Sequence, residues 1–598
     1  MAVGSYLTNS GYVFKSIKNP DVFKEYENTT VEVSPGFISA KAKNNEKFLF
    51  LYDSNETVSI DIKTNVECVL GYMKKEFKSV DINNYKSDFS GYSCIIIGFE
   101  KIECINNFDW IFEYVNNGGN LIFAERPIDS DNFDLIYTKL GIINKGESIN
   151  VQSLNVKTNI LIKGNGLQRE SFSQNDVIEV KLSEDCKIHC VSNEGVPLIW
   201  ERVYEKGKIL FVNGQFLDIK ENRGLLSGTI GLVGNEFIYP IINAKLDFVD
   251  DFPSPSPNEY NKEIYNEFGK NVASFYKEIW WPDMLKESNL YNIKYSSAFI
   301  ETYNDLVTHK DLEKYRVLDD KNNLIIFGKD VLKSGGELGI HGYNHQPLAL
   351  KDFIKHEEKN SYKSWESNET MAESIEKVSS YINEVYPEYE IRSYVPPSNI
   401  LSPEGRQVVR DNLRNLKIIS ALYIDSIDDS DGYVQEFKVA KDGIIELPRI
   451  SDGYKMTDDT KWNIYNALTT HGVFSHFVHP DDILDPERNF GENWESLFKD
   501  YQEIQSSIYE NFPWVRPLTV SEAGVELMRY SDCNPVFKYD EKGVQGFCEG
   551  FKKEAYYILR TEKEIKGSKG CNVFQIDNDV YEVRADKPEF HIELGDKK

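Results

Sequence analysis

Two histidines four residues apart are the first residues of this chain whose types and spacing could do chemistry. His341 and His345 stand in the segment LGIHGYNHQPL (338–348), directly after a short apolar run. If that run is a β-strand and a helix begins behind it, both imidazoles lie on one side and can hold one metal ion. The spacing alone is also typical of surface or capping residues, so a metal site requires further ligands.

Two other apolar segments end in groups of suitable chemistry. The segment KLDFVDDFP (245–253) ends in the adjacent carboxylates Asp250 and Asp251, and GVFSHFVHPDD (472–482) leads to His479. An Asp-Asp pair after a strand is by itself typical of a turn or a helix cap. In a barrel of parallel strands, however, the carboxyl ends meet on the face that carries the chemistry. The three segments together therefore predict one site of carboxylates and histidines.

The elements that must position these groups are strands alternating with helices over residues 241–530. Helices are predicted at 258–279, 365–384 and 460–470, and such alternation is typical of a parallel sheet. The predicted strands are 244–250, 293–301, 337–341, 391–396, 416–423, 443–449 and 473–479. Seven repeats of this kind predict an α/β fold with a distorted (β/α)7 barrel.

A second alternation of buried strands and helices covers residues 46–240. Its order of strand, helix, Gly118-Gly119 and strand resembles the flavodoxin-like, glutamine-amidotransferase-like domains. Enzymes of that group place a cysteine on a tight strand-to-helix turn, whereas Cys94 falls inside its predicted strand. We therefore expect a non-catalytic accessory domain. We also expect a β-rich lead-in over 1–45 and a small β module over 531–598, with a carbohydrate-binding or packing role.

Length and charge limit the partners. A chain of 598 residues is too long for one core and predicts three or four domains. The net charge of -28, from 68 basic and 96 acidic residues, argues against nucleic acid, which needs a basic face. No apolar run of about 18 residues is present, so no membrane span is predicted. The spacings of the eight cysteines indicate neither a zinc knuckle nor a redox motif, and we interpret them as mostly buried small hydrophobes.

The order of the motifs resembles that of a known enzyme family. Asp-Asp, His-x3-His, the Pro-rich segment YVPPSN (394–399) and a strand-end His follow one another as in the NodB-like polysaccharide deacetylases, carbohydrate esterase family 4, over about residues 241–530. Together with the amidotransferase-like domain and the segment WWPDM (280–284), the whole arrangement resembles an uncharacterised bacterial family, DUF2194. Some members of that family are thought to work beside Pel-like exopolysaccharide machinery.

The resemblance implies a role for each of the residues found above. Asp251, His341 and His345 would bind one divalent metal, with Zn as the expected ion, Asp250 would be the general base and His479 the general acid. The implied reaction is removal of acetyl groups from an N-acetylhexosamine-containing exopolysaccharide of a biofilm. Exopolysaccharide export proteins are then expected partners, and an extracellular or cell-surface location is expected. The first residues, MAVGSYLTNSGYVF, have no signal-peptide pattern, so we expect any signal or anchor to lie outside this chain.

The sequence departs from the family pattern at three positions. The arginine that precedes the Pro-rich strand end in the family is Val395 here, and Arg392 and Arg449 are the candidates to replace it. Phe252 replaces the usual glycine after the Asp-Asp pair, and Asn399 replaces the glycine that closes the Pro-rich motif. These departures concern substrate and rate more than the metal site.

Some assignments have competitors. His476 competes with His479 for the role of general acid. Positions 476 and 479 of a strand point to opposite faces unless the strand ends or bulges between them, and His479, next to Pro480 at the strand end, is preferred. His471 is expected in the preceding turn. Aromatic residues after the first strands either stack on sugar rings or belong to the core; these are Trp280, Trp281 and Tyr303.

Three functions remain open at this stage. The first is a metal-dependent polysaccharide deacetylase, and the second is a non-catalytic polysaccharide-binding or scaffold protein of an export assembly. The third is a glycosidase that uses Asp250 with another carboxylate. The intact ligand set favours the first, the missing arginine favours the second, and a glycosidase would not need two histidines four residues apart.

Overall fold

The computed structural model describes residues 17–44, 46–84, 91–105, 108–170, 175–257, 259–314, 321–351, 353, 362–425 and 432–597. Over these ranges the chain is a mixed α/β protein with five sheets, as the alternation of strands and helices predicted. None of the helices within these ranges is both long enough and apolar enough to cross a bilayer.

The N-terminal half contains a nine-stranded sheet. Its first five strands run parallel and the other four pair antiparallel. In order they are Glu76–Asp81, Lys47–Tyr52, Cys94–Gly98, Asn120–Phe123, Gly207–Val212, Pro197–Tyr204, Cys186–Val191, Leu154–Val156 and Gln168–Arg169. Cys94 is the first residue of its strand and is fully buried, far from a strand-to-helix turn. Burial raises the pKa of its thiol, which disfavours the nucleophilic thiolate form.

A second nine-stranded sheet contains all seven strands predicted for residues 241–530. Pairing is parallel throughout, except for Lys438–Val439 at one end. In order the strands are Lys438–Val439, Ile445–Glu446, Ile418–Ile419, Ser393–Tyr394, Glu337–Ile340, Tyr295–Phe299, Ala244–Asp250, Val473–Val478 and Ser451–Asp452. Over the described residues this sheet is a half-barrel with two end strands. The strand Ala244–Asp250 lies between Tyr295–Phe299 and Val473–Val478, so the carboxyl ends of these three strands are neighbours.

Helices cover both sheets. Those of the N-terminal half are Thr57–Tyr72, Asp109–Asn116, Asp131–Ile136 and Arg223–Gly231. Those around the half-barrel are Lys262–Phe268, Val272–Phe275, Trp281–Tyr291, His309–Lys314, Lys329–Lys333, Asn368–Val385, Pro403–Asn412, Asp458–His471, Trp494–Asn511 and Val520–Asp532. Two further segments, Tyr276–Trp280 and Leu324–Gly328, are π-helical. Short 3₁₀ turns occur at Ile82–Asn84, Ile102–Cys104, Lys220–Asn222, Pro397–Asn399 and Asp482–Leu484.

The single helix predicted at 258–279 is interrupted. Gly269 ends the first helix in the left-handed conformation, which glycine adopts without strain, and Asn271 caps the next one. The chain then continues through the π-helix, which brings Trp280 and Trp281 into the core at 0% and 2% exposure. Both rings pack against Phe252, with centroids 5.0 and 4.6 Å away. The hypothesis that these tryptophans stack on sugar was therefore wrong, because their faces are occupied by protein.

The β-rich lead-in predicted for 1–45 is not found in its described part, residues 17–44; residues 1–16 and 45 lie outside the description. This part forms two helices, Val22–Asn28 and Phe37–Ala42, with a single β-bridge from Glu32 to Phe551. The prediction rested on short alternating stretches, but tertiary packing outweighs so weak a signal. Phe23 and Tyr26 are buried in a cluster with the half-barrel strands.

The C-terminal residues 534–595 contribute strands to two four-stranded sheets. One contains Glu236–Ile241, Ala555–Thr561, Val580–Ala585 and Cys571–Asp577, and the other contains Asn534–Asp540, Gly543–Glu549, Glu589–Gly595 and Glu564–Lys569. The strand Glu236–Ile241 belongs to the first of these sheets although it precedes the half-barrel in the chain. The predicted limit at residue 240 therefore falls inside a strand. A disulfide joins Cys533 to Cys548, which the cysteine spacing did not indicate.

A buried carboxyl group in the N-terminal sheet makes stability depend on pH. Glu125 is fully buried, and its Oε1 accepts a hydrogen bond from Gln215 Nε2 at 3.1 Å. Burial, with the charges of Glu56 and Glu100, raises the pKa of Glu125 from 4.5 to about 8. Between these values the folded chain holds a proton that the unfolded chain has lost. Stability is therefore complete below the unfolded pKa and falls as pH rises towards about 8.

We predict that Glu125→Gln removes this dependence, because the amide keeps the shape of the protonated carboxyl and does not titrate. The melting temperature of the variant relative to the wild type should rise between pH 5 and pH 8. Glu113→Gln, at an exposed position on the helix Asp109–Asn116, is the control and should show no such trend. Equal differences for Glu125→Gln at both pH values would contradict the prediction.

Candidate metal centre and catalytic site

The segments that follow two strands, Ala244–Asp250 and Glu337–Ile340, bring the three predicted metal ligands together. Oδ1 of Asp251 lies 3.7 Å from Nε2 of His341 and 3.9 Å from Nε2 of His345. One donor atom from each residue falls within 4.8 Å of the others. Around a tetrahedral ion with bonds of about 2.0–2.2 Å, donors are roughly 3.3–3.6 Å apart, so a small inward shift completes the geometry.

The local backbone conformation orients the side chains of the three candidate metal ligands. Asp251 and His345 both adopt left-handed φ angles, 55° and 59°, which turn the chain sharply behind the strands. His341 directly follows the strand Glu337–Ile340, and its Nδ1 donates to the carbonyl of Val395 at 2.8 Å. This bond fixes the tautomer that leaves Nε2 free to bind a cation. Burial lowers the pKa of His341 to about 3, so the ring is neutral at physiological pH, as a metal ligand must be.

The environment of Asp251 favours the binding of a cation. Its Oδ1 is buried and has no hydrogen-bond partner among the described residues. Burial raises its pKa to about 6, and the charges of Asp481 and Asp250 add to the increase, while His345 and His479 oppose it. A buried carboxylate without a donor is costly, and a bound cation would stabilise its ionised form. The residues present therefore fit a divalent metal ion.

Arg449, one of the two arginines considered in the sequence analysis, contacts Asp250. Its Nη1 donates to Oδ2 of Asp250, its Nη2 donates to Oδ1 of Asn399 at 3.0 Å, and its guanidinium lies over the ring of Phe477. Burial alone would raise the pKa of Asp250, but the charge of Arg449 outweighs it and keeps that pKa below its usual range. Of the two candidates, Arg392 lies elsewhere and donates to the carbonyl of Pro20 and to Glu390.

His479 is held by a carboxylate that the sequence analysis did not assign. Its Nδ1 lies 3.2 Å from Oδ1 of Asp482, and its backbone N–H donates to Oδ2 of the same residue. Its Nε2 lies 3.8 Å from Oδ2 of Asp250. Burial would lower the pKa of His479, but the charges of Asp482 and Asp250 raise it to about 10. Asp482 stands three residues after His479, and this spacing was the available signal.

The competing histidines do not belong to the site. His476 Nδ1 lies 2.9 Å from Ser451 Oγ, and its Nε2 lies 2.7 Å from the carbonyl of Gly453. Both ring nitrogens of His476 are thus used within the fold. His471, expected in a turn, is instead the buried last residue of the helix Asp458–His471.

The ligand set predicts that His345→Ala abolishes metal binding. Two remaining donors hold a divalent ion too weakly to survive dialysis, so elemental analysis should fall from one ion per chain to almost none. The control is His309→Ala, since His309 is 62% exposed and pairs with Glu373 at the surface. Unchanged metal content in His345→Ala would refute the assignment.

The buried ion pair predicts a large effect of Arg449→Ala. Removing the guanidinium leaves Asp250 buried and unpaired, which should lower the free energy of unfolding by about 3–5 kcal/mol in urea denaturation. Arg410→Ala, which breaks an ion pair of Arg410 with Asp411 near the surface, should cost about 0–1 kcal/mol. Adding Asp250→Asn to Arg449→Ala should recover part of the loss. A similar loss of stability for Arg449→Ala and Arg410→Ala would contradict the prediction, because it would show that burial of Asp250 without Arg449 carries no large cost.

Comparison with protein-family models identifies a matching family. The model of a family described as "Uncharacterised protein conserved in bacteria (DUF2194)" matches residues 35–182 and 166–582. No curated protein matches the chain.

Solved structures give only weak likenesses. A cytoplasmic protein from Salmonella typhimurium LT2 is 13% identical, with 31% of this chain and 99% of that chain covered and a TM-score of 0.24. A protein described as ThuA-like from Bacteroides uniformis is 14% identical, with 32% and 93% covered and a TM-score of 0.25. A β-galactosidase from Bacillus circulans sp. alkalophilus is 12% identical, with 33% and 34% covered and a TM-score of 0.23. Scores this low carry no argument about function. The family model, in contrast, spans most of the sequence, and the chain belongs to the bacterial family DUF2194.

Proposed function

We propose that this protein is a metal-dependent deacetylase that removes acetyl groups from an N-acetylhexosamine-containing polysaccharide. The observation that carries the proposal is the pairing of an Asp–His–His ligand set with two groups of opposite protonation. Asp250 is held ionised by Arg449, and His479 is held protonated by Asp482. Hydrolysis of an amide needs such a base and such an acid on either side of one carbonyl.

The residues divide the reaction between them. A divalent cation bound by Asp251, His341 and His345 would supply Lewis-acid polarisation of the acetamide carbonyl and of a water molecule. Asp250 then takes a proton from the attacking water, and its Oδ1, which has no partner among the described residues, is the oxygen available for it. His479 gives its proton to the departing amine as the C–N bond breaks. The products are acetate and a free amino sugar.

Specific contacts weaken the two alternative functions, a non-catalytic scaffold and a glycosidase. The missing family arginine was the argument for a non-catalytic scaffold, and Arg449 now occupies that role next to Asp250. A glycosidase needs two carboxyl groups that face one glycosidic bond, about 5–9.5 Å apart. Here the neighbour of Asp250 is Asp251, which faces two histidines. The deacetylase proposal includes an exopolysaccharide substrate, zinc as the ion and a location at the cell surface or outside the cell.

Acetate release from N-acetylglucosamine and N-acetylgalactosamine oligomers tests the proposal. We expect Asp250→Asn and His479→Ala each to lower the rate by two or more orders of magnitude, because each removes one proton-transfer group. Both variants should keep their metal, as measured by elemental analysis, and His309→Ala should keep its full rate. Metal-loaded wild-type protein that releases no acetate from any oligomer, yet binds one, would favour the scaffold function instead.

A further inference from the structure

A buried tyrosine beside the metal centre lacks a partner. Tyr276 is the first residue of the π-helix Tyr276–Trp280 and is 6% exposed. Its hydroxyl makes no hydrogen bond with any described residue. Buried tyrosine hydroxyls normally find a partner, and π-helical turns occur frequently at functional sites. The proposed reaction makes no use of this group.

The π-helix is tied to the strand end that carries His479. Trp280 Nε1 donates to the hydroxyl of Tyr454 at 2.8 Å, and Tyr454 donates to the carbonyl of His479 at 3.1 Å. This chain of bonds places the segment that bears Tyr276 against the catalytic face of the half-barrel. Just beyond His479 stands Asp481, and the two segments are thereby brought together.

Asp481 offers a second unpartnered atom. Its Oδ2 lies 3.3 Å from Nη2 of Arg488, while its Oδ1 is buried and has no partner among the described residues. Burial raises the pKa of Tyr276 well above its usual value, and the charges of Asp481 and Asp251 raise it further. The hydroxyl of Tyr276 is therefore a hydrogen-bond donor, and Oδ1 of Asp481 a hydrogen-bond acceptor, and neither has a partner among the described residues.

We propose that Tyr276 and Asp481 form a polar subsite that binds one ring hydroxyl of the sugar beside the metal centre. This inference rests on the proposed function and names a determinant of its specificity. An alcohol hydroxyl accepts one hydrogen bond from Tyr276 and donates one to Asp481, which satisfies both buried atoms. An ammonium group cannot accept from Tyr276, and an anionic group would be repelled by Asp481 and Asp251.

The surroundings agree with a subsite that a ligand can reach. Tyr303 is 52% exposed and follows the strand Tyr295–Phe299, whose carboxyl end adjoins that of the strand Ala244–Asp250. Through this side a sugar ring can enter from solvent. A subsite that hydrogen-bonds a hydroxyl discriminates strongly against a sugar that lacks it, because its own polar groups are then left unpaired.

Binding measurements on the full chain test the subsite. The background is zinc-loaded Asp250→Asn, which keeps the metal ligands but should not turn over. The probes are N-acetylglucosamine and N-acetylgalactosamine pentamers and their monodeoxy analogues, with affinity measured by calorimetry. We expect the preferred pentamer to bind at least tenfold more tightly than one of its deoxy analogues. Tyr276→Phe and Asp481→Asn should each weaken the preferred pentamer by about 5–20-fold and abolish that difference.

Two controls separate binding from folding. Because the Tyr276 hydroxyl has no partner in the protein itself, Tyr276→Phe should leave the melting temperature and metal content unchanged. Tyr265→Phe removes the hydroxyl of a tyrosine that is 51% exposed, and it should leave the affinities unchanged.

The failures are distinguishable. If Tyr276→Phe binds the pentamer as tightly as the parent, or keeps the discrimination against the deoxy analogue, the subsite is refuted while acetate release still supports the deacetylase. If no pentamer binds and none releases acetate, the proposed function and the subsite fall together.

Discussion

The buried ion pair between Asp250 and Arg449 is the interaction on which the site depends. Both side chains are 1% exposed, so each charge would be very costly without the other. The pair joins two strand ends that are 199 residues apart in sequence, and Arg449 is held in turn by Asn399 and the ring of Phe477. The geometry of the half-barrel and the charge of the proposed base are therefore fixed by the same contact.

The environment of this pair lowers the pKa of Asp250 and raises the pKa of the neighbouring His479. Asp250 is kept ionised by a guanidinium, and His479 is kept protonated by Asp482, although both are buried. Arg488 donates to Asp482 at 2.6 Å and so balances the negative charge that holds the imidazolium. Neutral His341 and unpartnered Asp251 complete a place for a cation. Titratable groups with shifted pKa values, gathered at strand ends, are typical of functional sites.

The N-terminal domain is joined to the half-barrel by a second network of charged side chains. Arg223 donates to both carboxylate oxygens of Glu436 and to Asn65, and Lys220 lies 3.2 Å from Glu436. His471 packs nearby, and its burial lowers its pKa to about 3. In the same domain, Cys94 is buried at the start of its strand.

The sequence by itself indicated which groups end the strands, since Asp250, Asp251, His341 and His479 each stand at the end of an apolar run that favours a strand, or just after it. It could not determine the partners that tune them. The order of the strands brings Arg449 to Asp250, and the turn after His479 brings Asp482 to His479. The sequence alone could not distinguish Arg449 from Arg392 as the partner of Asp250. Trp280, Trp281 and Tyr276 could likewise not be assigned, because a π-helical turn changes which side of a helix faces the core. Sequence periodicity predicts which residues share one face of a single helix or strand. Ion pairs and burial arise between different elements, and only the tertiary structure shows which elements are in contact.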